Sequence, residues 1–249
     1  MLRRDFIQIS TLSAAGLLTL SAKGNIAPAP RQVAVVDPER VVTGYRTSAQ
    51  VSEAMAGATT MLQESGIAYE VVGTEADFSP YKVLILPDSV LFSHAFKEKI
   101  ETYLQQKGAV LASWRSGLTP DGLQFATPAF GIERIGDARY SPDFIDSHES
   151  TLGQHLASSE LTMYLRGMEV LAKDEATILA RTLAPLPSAD SYPAATEYGK
   201  VIYFMHPIFT QYHRSAPRWC RQLVQNALAQ LVPGIAESST LPIHTAIRS

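Results

Sequence analysis

Read as a pattern of apolar and polar positions, the chain opens its ordered part with Val33-Ala34-Val35-Val36, a run closed by Asp37-Pro38 and predicted to be a buried strand. Thr47-x-x-Gln50 fits a capping box. Behind it Val51, Met55, Ala58 and Leu62 keep helical spacing, and Gly66 fits the stop. Ile67 to Val72 reads as a second strand, and Val83-Leu84-Ile85-Leu86, closed by Pro87-Asp88, as a third. Ser93 caps a second helix with Phe96, Ile100 and Tyr103 on one face and Gly108 at its end, followed by the strand Ala109–Ser113. Strand, helix, strand, strand, helix, strand, with strands apolar throughout, predicts a mostly parallel sheet with helices on both faces, a flavodoxin-like α/β fold. Ligands of such sheets bind beyond the carboxyl ends of the strands, which places Asp37, Asp88 and the Ser113–Gly117 turn at one rim.

The second half is less regular. Residues 118–160 carry Pro120, Pro128, Pro142 and several glycines and read as irregular. Short strands are expected at Leu161–Leu165, Glu169–Ala172 and Thr177–Thr182, then a Pro-rich loop from Pro185 to Pro193. Ala194–Tyr198, Gly199 and Lys200–Met205 read as a hairpin ending in a core strand. Phe209, Tyr212 and His213 are expected in an exposed loop. A last helix begins near Ser215 to Pro217, repeats Trp219, Leu223, Ala227 and Leu231, and stops at Pro233-Gly234. Residues 235–249 show no periodicity and read as a tail.

The 249 residues are 46% hydrophobic and 18% charged, ordinary for a globular protein. The formal net charge of -3 has no basic cluster within it, which argues against nucleic acid or an anionic membrane as partner. One cysteine, Cys220, rules out an intrachain disulfide. The first residues change the picture most. Arg3-Arg4-Asp5-Phe6-Ile7 precedes a mild apolar stretch from Ile9 to Ala22, too short and too mild to span a bilayer stably. This segment resembles a twin-arginine signal, and the resemblance implies a periplasmic or secreted product folded before export. Residues 1–30 are therefore expected to be signal and linker, residues 31–234 one α/β domain, and no membrane span to remain after cleavage.

Three segments carry a second resemblance: Tyr81–Pro87, Ile100–Ser113 with Lys107-Gly108-Ala109-Val110-Leu111, and Gly199–Phe204 with the helix through Leu223 and Asn226. Together they are similar to the beta-galactosidase trimerisation domain over about residues 32–232. That domain has the fold of class I glutamine amidotransferases without their chemistry. Phe204-Met205-His206-Pro207 resembles the amidotransferase segment in which His-Pro precedes Glu, but Ile208 stands in the Glu position. The turn that carries the amidotransferase cysteine is here Ser113-Trp114-Arg115-Ser116-Gly117, and Cys220 lies in the last helix. In the family the domain usually follows a (β/α)8 hydrolase barrel. Here the signal leads straight into the domain, so the expectation is a non-catalytic accessory or oligomerisation domain.

The chemistry-bearing residues leave two classes open. A serine hydrolase would need a serine, a histidine and an acid, for which Ser116 and His206 are the candidates. Asp37, Asp88, Asp143, Asp146 and Glu149 could supply a carboxylate pair for glycoside hydrolysis, although strand-end turns account for them more simply. No histidine spacing suggests a metal, and no cofactor is expected. Against catalysis stands assembly. Phe209, Tyr212, His213 and Arg218 gather near one helix start, and aromatics and Arg are enriched in interfaces. The expected partners are further copies of the chain or a glycoside hydrolase-like chain, with carbohydrate as a third candidate.

Overall fold

The structure, a computed structural model, describes residues 32–38, 49–156, 160–185 and 191–235. The twin-arginine segment with Arg3, Arg4 and Phe6, the linker up to residue 30, Thr47 of the capping box, and residues 236–249 lie outside the described residues.

The chain runs β1 (Val33–Asp37), α1 (Ala49–Glu64), β2 (Tyr69–Gly73), β3 (Val83–Leu86), α2 (His94–Gln105), β4 (Ala109–Ser113), β5 (Ile132–Asp137), β6 (Asp143–Asp146), β7 (Glu160–Met163), β8 (Met168–Ala172), β9 (Thr177–Leu183), β10 (Ser191–Tyr198), β11 (Val201–Phe204), α3 (Ile208–Ser215) and α4 (Arg218–Leu231). Nine strands form one sheet in the order β2-β1-β3-β4-β11-β10-β9-β6-β7. From β2 to β11 neighbouring strands are parallel; from β11 onward they are antiparallel. β5 and β8 pair separately as an antiparallel ribbon.

The apolar strands explain the layering. Side chains of a strand alternate between faces. Val33, Val35, Val83, Ile85, Leu111, Ile202 and Phe204 meet α1, α3 and α4 on one face. Ala34, Val36, Leu84, Leu86, Val110 and Tyr203 meet α2 and the β5–β8 ribbon on the other. The α2 cap is as the sequence predicts: the Phe96 amide donates to Ser93 Oγ at 3.2 Å.

Three expectations are corrected. Residues 118–160 hold β5 and β6, whose partners β8 and β9 lie far along the chain. The loop expected after His206 is the helix α3, packed so closely on α1 that a Cβ on Gly57 would lie 2.0 Å from the Phe209 carbonyl oxygen. Ile235, expected in the tail, is buried in the core.

Candidate functional site

The rim is built where β3, β4 and β11 end. After β3 the chain turns at Asp88, whose φ of 49° is a left-handed conformation that aspartate tolerates better than most residues. Its carboxylate is fully buried. Ser113, the last residue of β4, donates from Oγ to Asp88 Oδ1 at 2.7 Å and accepts from the Asp88 amide at 2.9 Å. Thr210 donates to Asp88 Oδ2 from its amide at 2.7 Å and its hydroxyl at 2.6 Å, and the Phe209 amide approaches Oδ1 at 3.4 Å. These amides belong to the first turn of α3, whose own capping position is Pro207, with no side-chain acceptor. Asp88 therefore caps α3 from 122 residues away, satisfying donors that a helix start leaves open. Burial pushes its carboxyl above the usual carboxylate range, and the hydrogen bonds from Thr210 and Ser113 pull the other way.

After β4 comes the Ser113–Gly117 turn. Trp114 occupies its sharp point, again left-handed at φ 49°, with the Arg115 guanidinium 4.7 Å from its ring centre. Ser116 is fully buried. Its hydroxyl donates to the Leu86 carbonyl at 2.9 Å and accepts from the Val90 amide at 3.1 Å, which ties the turn to the end of β3. Tyr203 of β11 fixes the same turn from below, donating to the Ser116 carbonyl at 2.7 Å and also meeting the Trp114 carbonyl.

His206 follows β11, the parallel neighbour of β4. Its Nε2 lies 3.0 and 2.9 Å from the two oxygens of Asp143 on β6, with both side chains buried. A carboxylate oxygen accepts, so His206 Nε2 is the nitrogen that donates to Asp143. The ring's Nδ1 is buried and meets no partner among the described residues. Tyr192 donates to Asp143 at 3.2 Å, and Gly167 leaves room for the ring, since a Cβ there would lie 2.5 Å from His206 Cδ2. The acid missing at Ile208 is thus supplied from another element. Ile208 therefore does not leave His206 without an orienting carboxylate.

The sequence brings Ser116 and His206 to neighbouring strand ends, but no hydrogen bond joins them. A nucleophile needs a base within hydrogen-bond reach. Here the serine proton is committed to a backbone carbonyl, and the imidazole pairs on the side of its acid only. Among the described residues Asp146 and Glu149 form no second buried pair of this kind. Asp146 pairs with His148 at 2.6 Å and Glu149 lies 3.6 Å from the same ring, in an exposed loop where the Asp146 hydrogen bond raises the His148 pKa. Among the described residues no three His, Cys, Asp or Glu side chains could hold a metal together. Cys220 is buried in α4, and burial pushes its thiol up.

The expected interface residues divide. Phe209 and Tyr212 are core residues, exposed by 0% and 2%, because α3 turns them onto α1 and the sheet. His213 and Arg218 are exposed. The sequence pattern mistook the amphipathic face of a short helix for a loop.

Comparison with known proteins places the fold. Residues 43–124 match the family described as the beta-galactosidase trimerisation domain. Alpha-L-fucosidase isoenzyme 2 from Paenibacillus thiaminolyticus superposes with a TM-score of 0.69 at 27% identity, over 81% of this chain and 33% of that one. A beta-galactosidase from Bacillus circulans sp. alkalophilus gives 0.59 at 16%, over 81% and 31%. A protein described as ThuA-like from Bacteroides uniformis gives 0.59 at 15%, over 84% and 95%. The chain thus spans about a third of the fucosidase and of the galactosidase, and nearly all of the ThuA-like protein. No curated protein matches the sequence. The resemblance to the trimerisation domain and the flavodoxin-like α/β fold both hold. Among the described residues no helix is long and apolar enough to cross a membrane.

Proposed function

We propose that this chain is an exported, non-catalytic assembly domain associated with glycoside hydrolase proteins. The observation that carries the reading is the state of the rim. The Ser116 hydroxyl is spent on Leu86 and Val90, Trp114 fills the point of the turn, and His206 is sealed against Asp143. The Ser116 hydroxyl and the Nε2 side of the His206 ring, the groups that hydrolysis would recruit there, work instead as structural ties. Trimerisation is the named role of the matched family, and assembly is the role that a rim closed in this way leaves available.

Self-association needs an exposed apolar surface. On the outer face of the β5–β8 ribbon Ile135 and Leu171 are 61% and 60% exposed, large values for such side chains. This patch takes the place of Phe209 and Tyr212 in the assembly reading. A second copy of the chain docking there would have to bury about 1,000 Å² or more in total to give a stable contact. Export rests on Arg3-Arg4 and the apolar stretch behind them.

The test for catalysis is a panel of aryl glycosides and aryl esters offered to the purified chain. The expected result is no turnover above buffer. Turnover that His206→Ala or Ser116→Ala abolishes while the fold is kept would contradict the reading and establish a hydrolase.

A further inference from the structure

A cavity of about 550 Å³ lies between the start of α4, Glu64 at the end of α1, and His155, Leu156 and Leu161, away from the rim. We infer that this cavity is a saccharide-binding site. The proposal is independent of the assembly reading.

The lining has the chemistry that a sugar ring asks for. Trp219 lies on the wall, half-buried, with part of its indole packed on the core and the remainder facing the cavity. An aromatic face held from behind gives the C–H face of a sugar a rigid platform at little entropic cost. Leu156 and Leu161 continue the apolar surface. Around them stand Gln225, Arg218 and His155, whose side chains have no hydrogen-bond partner among the described residues. An amide both donates and accepts, as does a sugar hydroxyl, and a guanidinium adds further donors. The volume falls in the ordinary range of small-ligand sites, which combine apolar walls with a few placed polar groups.

The spacing on α4 supports the same reading. Arg218, Gln222 and Gln225 lie at helical intervals and form one polar stripe along the wall. Gln222 is already oriented, donating to Asn226 Oδ1 at 2.9 Å, and Asn226 in turn holds the carbonyls of Leu152 and Gln154. Arg221 is neutralised by Glu64 at 2.6 Å. Among the described residues the site presents Arg218 as its one cation without a carboxylate partner, beside neutral amides, a balance that suits a neutral polyol better than a phosphate.

Calorimetric titration of the purified chain with D-galactose, L-fucose, D-mannose and cellobiose tests the inference. At least one should bind with a Kd near about 1 mM, an affinity ordinary for so small a ligand. Of the two tryptophans, Trp219 should report binding: in Trp114→Phe the remaining indole emission should change and saturate with the same constant. Gln225→Ala should weaken binding roughly tenfold without changing the melting temperature, and Trp219→Ala should abolish it. If Trp219→Ala fails to fold, Trp219→Phe, which keeps an aromatic face, should retain most of the affinity. No binding of any of the four up to about 20 mM would overturn the inference. So would affinity unchanged by both the Gln225 and Trp219 variants, or binding of inorganic phosphate in place of the sugars.

Discussion

In the parallel half of the sheet, β3, β4 and β11 bury every side chain they carry, between α1, α3 and α4 on one face and α2 with the β5–β8 ribbon on the other. In the antiparallel half, β6 alternates between buried and partly exposed positions, and β9 carries exposed Thr177 and Arg181 beside buried Leu179, Ala180 and Thr182. Polar groups follow the same division. Asp88, on the parallel side, holds four donors from Ser113, Thr210 and Phe209. The pair His206–Asp143 bridges the two halves, and it leaves Nδ1 buried without a partner among the described residues. A buried polar group is tolerated when its bonds are complete and costly when they are not. The parallel half thus fixes the fold, and the bridge to the antiparallel half is where it is most vulnerable.

Breaking the bridge should give the largest effect. His206→Ala leaves the buried Asp143 carboxylate with Tyr192 alone, a loss of about 3–5 kcal/mol in urea unfolding. Replacing both partners together, His206→Leu with Asp143→Leu, should recover most of that loss, because an apolar pair of similar volume removes the unpaired charge. If the double variant is as unstable as the single one, the cost lies in packing rather than charge.

Within the parallel half, Asp88→Ala should cost about 2–3 kcal/mol, since the α3 cap and the Ser113 hydroxyl both lose their acceptor. The same carboxyl also gives a pH signature. Its folded pKa is raised, so between the ordinary carboxylate value and the raised one the folded protein binds more protons than the unfolded chain. Stability from this group is then fully present at low pH and falls as pH rises through the folded value. Asp88→Asn should flatten that slope, and urea unfolding across a pH series reads it. Ser116→Ala should cost only about 1–2 kcal/mol, the loss of one accepted and one donated bond at the turn.

How far each half was legible in the sequence follows from the same physics. Val83–Leu86 and Ala109–Ser113 are apolar throughout because both faces are covered, and such runs stand out against any background. β5 was hidden. Its outward Glu133 and Ile135 and the irregular pairing at Gly136 break the alternation that marks a strand. α3 was hidden for another reason. Its cap is supplied by Asp88, so no local Ser, Thr, Asn or Asp announces its start, and Pro207 reads as a breaker. Of the rim, Ser116 and His206 were found from the strand ends, but their ties were not. Asp143 stands among the candidate carboxylates of the sequence, but its place against His206 depends on the pairing of β6 with β9, which no local pattern encodes. Without α3, Phe209 and Tyr212 read as surface residues, and the helix turns both into the core.

The smallest expected effect on stability belongs to the β5–β8 ribbon, and it carries the assembly account. Ile135→Lys with Leu171→Lys should change unfolding by no more than about 0.5 kcal/mol, because both side chains already face solvent. The mass of the unsubstituted chain in solution, measured by light scattering at micromolar concentration and above, tests the central claim most directly. The account predicts a multiple of the single-chain mass that falls to one chain in the Ile135→Lys, Leu171→Lys variant. A single-chain mass at every concentration would contradict it.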